Sequence, residues 1–249
     1  MTLANRSTVI RFDVRGISCR RGNRQVLHGV DMQANAGQII GLVGANGAGK
    51  TTFFDVVCGL RAPQPGGLNH SIPAERIAYL TQSITVPDAL RLGELAELVF
   101  GLSGRRGARK FASKNLSDKA RAKFLMLWDR RSNSCSYGEK RWFVLVVVLA
   151  TDADLFILDE PTAGVDIEYR HYIWQAIKLM RDQGKMVIFS THVASEIEDV
   201  CDCFYFLKEG WAERFDSTQA FLTATQATTL EGGFINYLTT DFAETTTAM

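Results

Sequence analysis

The chain has almost no excess charge of either sign. Its 28 lysines and arginines stand against 27 aspartates and glutamates, a formal charge of +1, so composition supplies no global attraction to nucleic acid or to an anionic membrane surface. Long hydrophobic runs are missing too. The longest, Trp142 to Ala150, is far too short to cross a bilayer as a helix, which takes about 20 apolar residues. Proline is scarce and unevenly placed: of five in all, three lie between Arg61 and Pro73 beside Gly66-Gly67, and that stretch reads as loop. The cysteines are not organised for pairing. Cys19, Cys58, Cys135, Cys201 and Cys203 are odd in number, and only the last two are close, a weak metal signal. With no secretory signal read at the start, reduced thiols are expected. The chain is expected to be soluble and intracellular, reaching a membrane only through a partner. Its 249 residues, 46% of them hydrophobic, suffice to bury a core as one large domain or as one domain with a lobe.

What is present is a phosphate-binding loop. Gly44-Ala45-Asn46-Gly47-Ala48-Gly49-Lys50-Thr51 fits G-x-x-x-x-G-K-[ST]. The apolar run Ile39 to Val43 leads into it as a buried strand, and Thr51 to Val57 leaves it as a helix, with Thr52 in its first turn. Glycines let successive backbone N–H groups turn inward toward phosphate oxygens at a helix N-terminus. Lys50 is expected to reach the β- and γ-phosphates, and Thr51 to place its hydroxyl on Mg²⁺. The chain therefore reads as a nucleoside triphosphate binder.

Such a loop needs an acidic strand end beside it. Leu155-Phe156-Ile157-Leu158-Asp159-Glu160 supplies four apolar residues and two carboxylates. Asp159 is placed to hold Mg²⁺, directly or through water, and Glu160 to accept a proton from attacking water.

Elsewhere the pattern alternates. Val9 to Cys19 and Val26 to Met32 read as strands around a polar turn, Arg20 to Gln25, and Arg76 to Thr81 reads as a short strand. Residues 83–135 differ in character, with one helix suggested by Leu90, Leu92, Leu95 and Leu98-Val99, and another starting at Ser117-Asp118 and running to Trp128. Ten lysines and arginines but only two acids lie from Arg105 to Arg131. This reads either as a face for lipid head groups or an acidic partner, or as a solvated helix surface. From Leu155 onward, strands (Leu155–Leu158, Met186–Ser190, Phe204–Leu207) alternate with helices (Ile167–Arg181, Ala194–Val200), the signature of a parallel sheet.

In these residues the chain resembles the ATP-binding cassette (ABC) ATPases, over nearly its whole length. Tyr79-Leu80-Thr81-Gln82 is similar to the family's Q-loop. Cys135-Ser136-Tyr137-Gly138-Glu139 is similar to its signature, usually Leu-Ser-Gly-Gly-Gln, with Lys140-Arg141 continuing it. Pro161-Thr162 followed by Ala163-Gly164-Val165-Asp166 resembles the D-loop, and Ser190-Thr191-His192 the switch histidine. The resemblance implies an α/β P-loop fold: a RecA-like core with a mixed sheet, an antiparallel β-subdomain, a helical subdomain at 83–135 and a C-terminal extension at 217–249, all within a single domain, 1–249. It implies ATP and Mg²⁺ as ligands, with Gln82, Glu160 and His192 as catalytic residues and Thr51, Gln82 and Asp159 around the metal. It further implies that Ser136, Gly138 and Asp166 serve the nucleotide of a second cassette, two chains closing head to tail as a homodimer around ATP. The implied partner is a transmembrane permease subunit, with no nucleic acid, which places the chain on the cytoplasmic side of the inner membrane.

Three departures qualify that implication. Cys135, Tyr137 and Glu139 replace the usual signature residues. No aromatic stands near the first hairpin to stack on adenine, where Arg20 or Arg21 takes its place. The stretch from Leu60 to Arg76 is shorter and richer in Pro and Gly than the family's β-subdomain. Thr228 to Leu238 is similar to the Leu-Glu-x-x-Phe ending of exporter cassettes, and a generic amphipathic helix accounts for it as well. A soluble non-transport ATPase of the same family and a regulatory cassette with weak hydrolysis are the remaining alternatives.

Overall fold

In a computed structural model, residues 11–64, 72–102, 108–151 and 153–240 are described. The first element is a hairpin, β1 (Arg11–Arg21) against β2 (Arg24–Asn35), closed by Gly22-Asn23 as the polar turn predicted, though the strands run further into that turn. Register shifts between Val14 and Cys19 let the hairpin keep Phe12, Val14, Ile17 and Cys19 of β1 and Leu27, Val30, Met32 and Ala34 of β2 buried on one side.

That side covers a six-stranded sheet built from β3 (Ile39–Val43), β4 (Ile77–Leu80), β5 (Leu155–Leu158), β6 (Met186–Thr191), β7 (Cys203–Lys208) and β8 (Trp211–Phe215), in the order β4-β5-β6-β3-β7-β8. The first five are parallel and β8 is antiparallel to β7. Parallel neighbours require crossovers, here made by α5 (Tyr137–Leu149), α6 (Ile167–Asp182) and α7 (Ala194–Val200), while α1 (Lys50–Val57) follows β3. The period of two along each strand divides the core. Ile40, Leu42, Ile157, Ile188 and Leu207 join the hairpin and α1 on one face. Val43, Phe156, Leu158, Phe189 and Phe206 join the helices on the other.

Between β4 and α5 lie three helices, α2 (Leu92–Leu102), α3 (Ala108–Asn115) and α4 (Asp118–Trp128). The sequence predicted only the first and last. Ser117 caps α4, its hydroxyl accepting from Ala120 N at 3.4 Å. Phe124 stacks on Phe143 with centroids 4.5 Å apart, so α4 is seated on α5, whose Trp142 packs in turn on Tyr169 and Tyr172 of α6. Helix α5 thus links the three helices to the sheet.

At the far end, α8 (Thr218–Thr225) and α9 (Leu230–Thr239) dock on β7 and β8 through Phe206, Phe215, Phe221 and Phe234. Lys208 is buried and donates to Tyr237 O at 2.9 Å and to Thr240 O, satisfying carbonyls at the end of α9. The start of the first predicted strand at Val9, Gly66-Gly67, Arg105-Arg106 and the Thr-rich tail near Thr245 lie outside the described residues. Among those described, no helix is long and apolar enough to cross a membrane.

Candidate functional site

The turn from β3 into α1 is where the phosphate-loop residues lie. Gly49 stands just before α1 at φ +114, a conformation in which a side chain is strained. It puts no side chain over the start of the helix, so the first-turn N–H groups are left without a side-chain cap. Asn46 to Thr52 line a cleft of about 840 Å³. Lys50 is 6% exposed; its ammonium donates to Gly44 O at 2.7 Å and Ala45 O at 3.2 Å, and burial lowers its pKa against the raising effect of Glu160 and Asp159.

The two carboxylates of the acidic strand end are held differently. Asp159 Oδ2 accepts from Thr51 Oγ1 at 2.6 Å and Oδ1 from Ser190 Oγ at 2.5 Å. A hydroxyl and a carboxylate oxygen side by side form a hard-oxygen donor set, which fits Mg²⁺. Glu160 is 8% exposed, and its backbone takes φ +46, a left-handed conformation uncommon outside glycine. That turn carries its side chain into the cleft. There it accepts from Gln82 Nε2 at 3.0 Å, lies 3.9 Å from Lys50 Nζ, and has His192 Nδ1 at 3.3 Å. Residues from three other stretches of sequence thus converge on one carboxylate.

Arg141 holds these stretches together. Fully buried, its guanidinium donates to Thr81 O, Gln82 O, Asp159 O, Glu160 O and Pro161 O at 2.6–3.2 Å. Burial lowers its pKa, yet the five carbonyls satisfy its donors, and the planar fork suits such a set better than an ammonium. The sequence placed Arg141 only as a continuation of the signature. Two more residues were missed. Ser190, besides holding Asp159, accepts from Glu160 N at 2.8 Å. The buried Glu196 accepts from Thr162 and Thr191, both at 2.5 Å, tying the segment after Glu160 to the segment before His192. A polar residue at the end of a buried strand, as Ser190 is, was the one available signal.

Ser136, Gly138 and Asp166 line no part of this cleft. They form a second cluster, in which a Cβ at Gly138 would stand 3.6 Å from Asp166 Oδ2. Ser136 caps α5, accepting from Glu139 N at 3.1 Å while Glu139 Oε2 accepts from Ser136 N at 2.7 Å. Glu139, in the position of the family's usual Gln, thereby completes a capping box and also pairs with Arg130 at 2.9 Å. Asp166 caps α6, accepting from Glu168 N and Tyr169 N at 3.0 Å. Tyr137 is 41% exposed, with its hydroxyl 3.4 Å from Gln82 O and its ring 3.3 Å from where a Cβ on Gly164 would lie.

Of the two arginines read at the first hairpin, Arg21 lines the cleft and Arg20 does not, and two aromatic rings, Trp211 from β8 and His28 from β2, are also in its wall.

The profile of a family described as ABC transporter matches residues 27–163. Protein McbF of Escherichia coli is 33% identical over 210 residues, covering 82% of this chain and 84% of that protein. Nod factor export ATP-binding protein I of Rhizobium meliloti (strain 1021) is 32% identical over 210 residues, 81% of this chain and 62% of that protein. A solved structure described as the ATP binding subunit of an ABC transporter superposes with a TM-score of 0.80 at 22% identity, covering 93% of this chain and all of that one. A nucleotide-free ATP-binding cassette from an ABC transporter gives 0.70 at 18% identity, covering 89% and 96%. At those identities the two structures speak to the fold alone.

Proposed function

The chain belongs to the ABC transporter family of ATP-binding proteins, and from that membership we propose that it binds ATP with Mg²⁺ and hydrolyses it to drive export through a separate transmembrane subunit. The observation that carries the reading is the set of groups around Glu160: Lys50, Gln82 and His192 on the carboxylate, with the Thr51–Asp159 pair alongside. The relatives named for Nod factor export support the export direction of this reading.

The chemistry is an in-line displacement at the γ-phosphorus. Water forms the new P–O bond, its proton passes to the Glu160 carboxylate, and the bond to the β,γ-bridging oxygen breaks to give ADP and phosphate. Lys50 exchanges the carbonyls of Gly44 and Ala45 for phosphate oxygens, and the loop amides share the same charge. Thr51, Asp159 and Gln82 would hold Mg²⁺, which would supply positive charge to offset the negative charge of the phosphates. His192 steadies the γ-phosphate from beside Glu160. Gln82 also communicates with the membrane subunit. Ser136, Gly138 and Asp166 lie outside the cleft of their own chain, which supports their serving the cleft of a second copy. Contact with the cytoplasmic face of the membrane then comes through the permease.

The packing of Tyr137 on Gly164 and beside Gln82 favours a second reading, a regulatory cassette that turns over slowly. Phosphate release from ATP by the wild type and by Tyr137→Gly separates the two. The first reading expects Mg²⁺-dependent turnover in both, equal or faster in the variant, because the ring only crowds the composite site. A wild type that binds ATP without measurable release supports the second. A large loss in a folded Tyr137→Gly protein shows that the ring makes a productive contact.

A further inference from the structure

The wall of the cleft also carries groups that no phosphate chemistry uses. Strands β7 and β8 are joined by the two-residue turn Glu209-Gly210, both at positive φ (50° and 84°), so Lys208 pairs with Trp211 directly across it. This turn lies against β2. His28 N donates to Gly210 O at 2.9 Å, and a Cβ on Gly210 would stand 2.3 Å from Val26 O. Val26 is also the neighbour of Gly49, at 3.3 Å from where its Cβ would be, so one residue spans from the phosphate loop to the turn. Trp211, first in β8, is thereby fixed in the cleft wall. Its ring stacks on His28 with centroids 5.2 Å apart and planes 10° from parallel, while the side chain remains 53% exposed.

A large flat ring held rigid on one side and open on the other, beyond the phosphate loop in the same cleft, suits a planar heteroaromatic base. Resting on the ATP-binding reading above, we propose that Trp211, backed by His28, is the stacking platform for the nucleotide base in this chain. The exposed ring of the platform comes from the far edge of the sheet, while the first hairpin lines the cleft with Arg21, Arg24, Gln25, Val26 and the backing His28. Stacking tolerates every base. The platform therefore strengthens nucleotide binding without choosing adenine over guanine.

The test compares three probes, MgATP, MgGTP and inorganic tripolyphosphate, on the full chain by calorimetry. Trp211→Ala is expected to weaken ATP and GTP alike by about tenfold, the low end for loss of one stacking ring, and to leave tripolyphosphate unchanged. Trp211→Phe is expected to restore most of the affinity. Trp211 is the one of the four tryptophans in the cleft wall, so ATP and not tripolyphosphate is expected to quench its fluorescence, and the quench is expected to vanish in Trp211→Phe. ATP affinity within twofold of wild type in Trp211→Ala overturns the proposal. So does a loss that falls instead on Arg21→Ala, or one shared equally by tripolyphosphate. A wild type that binds tripolyphosphate but gains nothing from the base overturns the platform and leaves the phosphate site standing. One that binds neither probe overturns the underlying reading as well.

Discussion

Glu160→Gln is expected to slow ATP turnover by about 10²–10⁴-fold, the usual worth of a positioned proton acceptor. The amide keeps the size and reach of the carboxylate and can keep contacts with Gln82 and His192, but it cannot take the proton from water. Asp159 and Thr51 are untouched, so Mg²⁺ and ATP should stay bound. Removing a negative charge next to the γ-phosphate eases repulsion, so the variant should accumulate as an ATP-dependent dimer, measurable by size-exclusion chromatography. Turnover at the wild-type rate removes Glu160 from the role of base.

Lys50→Ala is expected to abolish turnover and weaken nucleotide binding together. Lys50 is a buried cation whose ammonium lies 3.9 Å from the Glu160 carboxylate, held on the carbonyls of Gly44 and Ala45. Without it the negative phosphates meet the carboxylates of Glu160 and Asp159 with no ammonium between them to offset the charge. Circular dichroism checks that the variant folds. ATP hydrolysis at the wild-type rate would remove the loop from the mechanism.

The elements that carry this chemistry were legible because their signals are local. Strand β3, the turn at Gly49 and α1 follow one another within twenty residues, and β5, β6 and their helices repeat a pattern of buried apolar runs and amphipathic turns. The capping of α4 by Ser117 was readable for the same reason. Helix α3 was not. Its sequence Ala-Arg-Lys-Phe-Ala-Ser-Lys-Asn shows three cations and little apolar stripe, and among its described side chains Phe111 and Ala112 meet the core. Strand β8 is a short edge strand with exposed and half-exposed residues ahead of Phe215, so alternation is weak. Helix α8 rests on one buried ring, Phe221.

Within the site, the residues missed are those whose partners are distant in sequence. Arg141 looks like one more surface cation until the Q-loop segment and the acidic strand end fold around it. Trp211 enters the cleft because β8 is laid beside β2 by the Glu209-Gly210 turn, across more than 180 residues. Composition and spacing hold no record of either contact.

In the proposed function each site is completed by a second chain, a reading supported by the placement of Ser136, Gly138 and Asp166 away from the cleft of their own. The most direct measurement is phosphate release per mole of protein, at saturating MgATP, across a wide range of protein concentration. A composite site predicts specific activity that rises with concentration before levelling, and a Ser136→Arg variant that stays low throughout. Specific activity that is flat over the whole range and unchanged by Ser136→Arg would show that each chain hydrolyses ATP without a second one.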